Sequence, residues 1–145
     1  MDKSYNYKMT ISYDGSHFNG WQKQGNTDNT IQGKLENVMS RMAGEPVAVN
    51  GAGRTDAGVH AKGQVASFRL KKFAEPERIR EYANEFLPKG ICVMSVETAP
   101  QDFHARFSAE SKTYVYRIFN SSLRNVFEQQ YMYQYAEHKL DCNKM

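Results

Sequence analysis

Asp56 stands in a loop of small residues, Gly53-Arg54-Thr55-Asp56-Ala57-Gly58-Val59-His60-Ala61, with a guanidinium two positions before it. Glycines at 51, 53 and 58 let the backbone bend and let a large ligand approach closely. If the segment entering Asp56 is extended, Arg54 and Asp56 point to the same side. An arginine beside a carboxylate favours the ionised form, which a carboxylate nucleophile needs. The same residue types also make an ordinary capped turn, in which Asp and Gly serve only the backbone. Residue types alone favour that turn, because a short motif is no more than a hypothesis.

Other reactive groups are sparse. Cys92 and Cys142 are far apart and neither belongs to a Cys-x-x-Cys pair. Cys92 lies in an apolar stretch and reads as a small buried hydrophobe. The four histidines show no metal-ligand spacing, and neither a metal nor another cofactor is signalled. His60, the one histidine in the loop, is open to a structural or an RNA-contacting role. Some of the basic residues cluster: Arg54, Lys62, Arg69, Lys71 and Lys72 in and after the loop, then Arg106, Lys112 and Arg117. Such clusters suit phosphate contacts, although they equally describe solvated charges on strands and turns. A net charge of +3 and a pI near 8.8 permit a nucleic-acid partner without requiring one. No apolar run is long enough to span a membrane, and Met1 to Lys8 has no signal-peptide core. A cytoplasmic protein with no membrane partner is the expectation.

The elements that must position Asp56 follow from hydrophobic period. Tyr5, Tyr7, Met9, Ile11 and Tyr13 alternate with mostly polar residues and predict a strand, turned by Asp14-Gly15. Ser16 to Asn29 reads as a loop holding the sole tryptophan. Thr30 is placed to cap a helix with Ile31, Leu35, Val38, Met39 and Met42 on one face, ended by Gly44 and Pro46. Val47 to Val49 predicts a short strand and Gln64 to Leu70 another. A second helix is predicted from about Glu75 to Leu87, stopped by Pro88 and Gly90. Ile91 to Val96 is apolar on both faces and reads as a central strand. Lys112 to Phe119 predicts a strand with Tyr114, Tyr116 and Ile118 on one face, and Gln130 to Tyr135 a last one.

The order to Val96 is β-α-β-β-α-β, an α/β (α+β) ferredoxin-like arrangement with two helices on one face of an antiparallel sheet. At 145 residues one domain is expected. RNA-recognition motifs share this order, but Gln64-Val65-Ala66-Ser67 after Lys62-Gly63 lacks their base-stacking aromatics. The fold alone assigns no function.

The string from Gly53 to Ala61 resembles the signature loop of the tRNA pseudouridine synthase A family. Two further blocks in the same order support the resemblance. One is Asp14-Gly15-Ser16-His17-Phe18-Asn19-Gly20-Trp21-Gln22-Lys23-Gln24. The other is Phe103-His104-Ala105-Arg106-Phe107-Ser108-Ala109, followed by Lys112, Tyr114 and Tyr116. The resemblance implies isomerisation of uridine to pseudouridine in the tRNA anticodon stem-loop, with no redox change and no cofactor. It implies that Asp56 is the nucleophile, acting on a flipped-out base at C6 or at C1′. Arg54 then holds the flipped state and can pair with Asp56, or braces the loop as a salt bridge. Tyr114 falls at the family's active-site tyrosine, where its ring can stack on the extruded uracil. Arg106 and Lys112 become candidates for phosphate contacts. Phe103 and Phe107 read as packing residues, and Trp21 and Gln22 as loop anchors or substrate contacts.

Family members are typically homodimers that bind tRNA across both subunits. By the same resemblance the chain reads as an N-terminal portion, because a second α/β half normally follows and supplies the other wall of the cleft. Leu140-Asp141 looks like a helix start with Asp141 as its cap. Two readings of different class therefore stand: a pseudouridine synthase, and a non-catalytic RNA-binding fragment that retains the loop.

Overall fold

The computed structural model describes residues 3–145, which form two compact units. The first ends at Ser111 and the second spans Lys112–Met145. The first contains β1 (Tyr5–Tyr13), α1 (Ile31–Ala43), β2 (Val49–Gly51), β3 (Ala61–Leu70), α2 (Pro76–Phe86) and β4 (Ile91–Thr98). The sheet order is β2-β3-β1-β4, and every neighbouring pair is antiparallel. The expected ferredoxin-like order is therefore present. Its two β-α-β units are split, each with a strand of the other inserted between its own pair.

Alternation in β1 sets the two faces of the sheet. Tyr7, Met9, Ile11 and Tyr13 are buried in one core with Leu35 and Met39 of α1 and Ile79 and Ala83 of α2. Opposite Tyr7 in β3 stands Phe68, and their rings stack with centroids 5.2 Å apart. The Thr30 hydroxyl accepts the Gly33 amide at 3.1 Å, which gives α1 its expected start. Gly44 ends the helix with φ of 72°, a left-handed conformation that glycine adopts without a Cβ penalty. Pro76 opens α2, where its missing N–H costs nothing.

Two expectations fail at β4. It is an edge strand, not a central one. Cys92, expected inside, is exposed, and so is Met94. An apolar run shows that a strand has apolar side chains on both faces; it does not show that both faces are covered. At this edge the Asn84 side chain donates to the Val93 carbonyl and accepts its amide, both at 2.8 Å, so part of the edge is already paired.

The second unit differs from its expected form. Lys112 to Phe119 is not a strand; only Ile118–Phe119 (β5) is extended, paired parallel with Tyr133–Gln134 (β6). Residues 112–117 have no regular structure, and Tyr114 and Tyr116 are 60% and 89% exposed. Asn120 organises the turn after β6, donating to the Tyr135 and His138 carbonyls and accepting the Leu140 amide. Asp141 caps a single 3-10 turn, Cys142–Lys144, through the Asn143 amide at 3.0 Å.

Candidate active site

Asp56 lies in the connection from β2 to β3. The strands hold the base of this loop: the Ala52 amide donates to the Val65 carbonyl at 2.8 Å, and the Gln64 side-chain amide donates to the Gly53 carbonyl. At the tip the Val59 amide donates to the Asp56 carbonyl at 3.1 Å, closing a four-residue turn. Gly58, third in that turn, has φ of +82°, the value a type II turn demands at this place. The glycine is thus explained by the turn, and the turn leaves the Asp56 side chain exposed. Arg54 is exposed on the same loop. Among the described residues no ion pair joins Arg54 to Asp56, so the pairing the resemblance implies is not formed here.

The block from Asp14 to Gln24 lies behind this loop. The Trp21 amide donates to the Thr55 carbonyl at 3.0 Å, and the Tyr13 and Thr55 hydroxyls share a hydrogen bond of 2.8 Å. Trp21 is 1% exposed, and its indole sits so close to Gly51 that a Cβ there would lie 2.6 Å from the ring. Of its two candidate roles, the indole therefore has that of anchor. His60 is built in as well: its Nδ1 accepts the Gly15 amide at 2.9 Å and lies 3.2 Å from an Asp14 carboxylate oxygen. The first amides of α1, Ile31 and Gln32, donate to the carbonyls of Gly20 and Trp21. These would otherwise be orphan donors at a helix start, so the block also completes α1.

The third block rests on the sheet face opposite the helices. Asn6, 3% exposed, donates from its amide to the carbonyls of Pro100 and Phe103 at 2.7 and 2.8 Å. Ser67, opposite Lys8 in the register and also 3% exposed, accepts the Ala105 amide at 3.0 Å. Ala105 is the buried residue of the block. Sequence reading missed Asn6 and Ser67, although both are polar residues at the outward positions of their strands. Phe107, expected to pack inside, is 78% exposed and lies against the His104 ring, with the Arg106 guanidinium 5.8 Å from its own. Arg106 is exposed, free of the core and able to meet a ligand.

The basic residues differ in their partners. Arg69 is bound to Gln101, and Lys71 pairs with Glu45 at 3.1 Å. Lys62 is exposed. Arg54, Asp56 and Arg106 belong to the first unit, whereas Lys112 and Tyr114 belong to the second and are exposed there. Among the described residues no group of three or more His, Cys, Asp or Glu side chains could hold a metal ion. No helix there is long and apolar enough to cross a membrane.

Comparison with known proteins gives the same direction as these three blocks. Residues 9–108 match the family model described as tRNA pseudouridine synthase. The chain is 44% identical over 141 residues to "tRNA pseudouridine synthase A 2" of Bacillus cereus, covering 97% of this chain and 57% of that protein. It is 41% identical over 140 residues to "tRNA pseudouridine synthase A" of Clostridium acetobutylicum, again over 57% of that protein. The protein of the same name in Methylacidiphilum infernorum is 48% identical over 121 residues, 83% of this chain and 47% of its own length. The chain thus spans about half the length of the curated relatives it matches.

Proposed function

The chain belongs to the tRNA pseudouridine synthase family, and from that premise we propose that it isomerises uridine to pseudouridine in the tRNA anticodon stem-loop, with Asp56 as nucleophile. The observation that carries this reading is the setting of Asp56: an exposed carboxylate on a turn whose backbone is tied to buried groups. A nucleophile must be open to substrate and yet held in one place, and this loop offers both.

In the reaction the bond from C1′ to N1 breaks and one from C1′ to C5 forms. The C5 hydrogen leaves as a proton and N1 gains one, so no oxidant, reductant or redox cofactor is required. A stacked uridine is beyond the reach of a carboxylate, so the nucleotide is first extruded. Arg54, two residues from Asp56, supplies positive charge to the extruded state. Tyr114 offers a ring for the base to stack on. Arg106 and Lys112 contact phosphates. On this reading the chain is the N-terminal portion of an enzyme that works as a homodimer.

A second reading, an RNA-binding polypeptide without turnover, is favoured by one feature. Tyr114 and Lys112 lie in a unit with no buried residue. Tritium release from tRNA labelled at C5 of uridine separates the two. Release by the chain, reduced at least about 10³-fold in Asp56→Ala, is the expected result. Folded chain that binds tRNA but releases no label would support the second reading instead. Release by Asp56→Ala at the parent rate would remove Asp56 from the mechanism.

A further inference from the structure

Gly20 has φ of +85°, and a Cβ built on it would lie 2.8 Å from the Thr55 carbonyl oxygen, 3.2 Å from the Ala57 nitrogen and 3.3 Å from the Asp56 carbonyl carbon. All three are backbone atoms of the loop that carries the carboxylate, and none can swing aside as the end of a flexible side chain would. Gly20 therefore abuts the peptide of Asp56 itself. The next residue, Trp21, donates its amide to Thr55, and the Tyr13 hydroxyl bonds the Thr55 hydroxyl. Tyr13 is 4% exposed and ends β1, where it stands opposite Ala61 of β3 and Ile91 of β4. Gly20 and Trp21 receive the first two amides of α1 at their carbonyls. Thr55 is therefore gripped from two elements of the core, a central strand and a helix start, one residue before Asp56.

We propose that Gly20, Trp21 and the Tyr13–Thr55 hydroxyl pair form a clamp that sets the position of the Asp56 backbone, and that they act on the isomerisation as positioning residues. Thr55 contributes through its hydroxyl, bonded to Tyr13, and its carbonyl, bonded to the Trp21 amide. A glycine is required at 20 both for its positive φ and for the close approach. The loop is otherwise exposed from Asp56 to Val59. Elsewhere the loop is tied at its Ala52 and Gly53 end and by His60, and the Val59 backbone lies against Gly15. Displacement of a reacting group by about 1 Å can cost about 10²-fold in rate, so a clamp of this kind governs kcat and leaves RNA affinity alone.

The role rests on Asp56 being the reacting carboxylate, and the test has one arm that does not. In the first arm, hydrogen exchange of the Trp21 amide is measured in the parent chain, Tyr13→Phe, Thr55→Val and Thr55→Ser. Loss of one hydroxyl bond is expected to speed exchange roughly tenfold in Tyr13→Phe and Thr55→Val, and Thr55→Ser to restore the parent rate. Parent-like exchange in all of them would overturn the clamp. In the second arm, single-turnover tritium release and tRNA affinity are measured for the same variants and for Gly20→Ala. A fall of about 10²-fold in rate for Gly20→Ala, with affinity within about twofold and rescue of Thr55→Val by Thr55→Ser, is expected. A loss confined to tRNA affinity, with the single-turnover rate unchanged, would overturn the positioning role. If Gly20→Ala does not fold, Tyr13→Phe and Thr55→Val carry this arm. If the parent chain itself releases no label, the proposed activity fails, and the exchange arm alone decides whether the clamp exists.

Discussion

The sheet-and-helix unit buries Tyr7, Trp21 and Phe68 to 2% exposure or less, while the unit after Ser111 leaves Tyr116, Phe127 and Val115 exposed by 89%, 91% and 78%. Both are rich in aromatic and β-branched side chains, so composition does not separate them. What differs is the surface available for burial. In the first unit, β1 and β3 share an eight-position register and two helices cover one face. In the second, β5 and β6 pair over two residues each. A segment of that size encloses no core of its own, so its apolar residues remain at the surface. The contrast bears on function: Asp56 stands on the unit with an interior, and Tyr114 on the one without.

Hydrogen exchange gives the largest test of this contrast. Amides of β1 and β3 are expected to exchange at least about 10³-fold more slowly than those of 112–117, because they open only with the core. Comparable protection in both would mean that the second unit has an interior after all. Paired truncations probe the same point. Phe68→Ala is expected to cost about 3–5 kcal/mol in chemical denaturation, whereas Phe127→Ala should change stability by less than about 0.5 kcal/mol. Equal losses would break the comparison.

Caps sharpen it at a smaller scale. Thr30→Ala, which removes the acceptor for the Gly33 amide, is expected to lower stability by about 1 kcal/mol. Asp141→Ala removes the matching bond to Asn143 and should leave the denaturation midpoint unchanged, since it caps one isolated turn. The smallest effect lies on the solvent side of α2. The Arg80 side chain hydrogen-bonds Glu77 and holds its carboxyl below the ordinary carboxylate range, through that bond more than through charge alone. A depressed carboxylate contributes stability above its unfolded pKa, and that contribution is lost as pH falls through its folded one. Glu77 is exposed, so screening leaves little to lose. Arg80→Ala should raise the Glu77 titration midpoint, followed by carbon NMR, with no measurable shift in Tm.

The site was legible in parts, and each part had a physical reason. Gly58 could be read as a turn glycine, and its φ of +82° bears that out. Thr30 could be read as a cap because N-capping involves only residues three apart in sequence. By contrast, Asn6 reaches Pro100 and Phe103 across more than ninety residues, and no local pattern marks such a partner. Tyr13 reads as one more core tyrosine until its hydroxyl is found on Thr55. Phe107 reads as a packing residue and Cys92 as a buried one because of residue type and apolar neighbours, which state a tendency and identify no covering surface.

By itself the sequence determined the elements of the first unit, their order, the helix start at Thr30 and the block that holds Asp56. Period, capping and turn chemistry act between neighbours along the chain, so they can be read from it. Only the tertiary structure decided that β4 lies at an edge, that the third block crosses the sheet face on Asn6 and Ser67, and that Gly20 and Tyr13 hold the loop of Asp56. It also decided that residues 112–117 make no strand. Those outcomes depend on which surfaces meet, and a surface exists only once distant segments have packed.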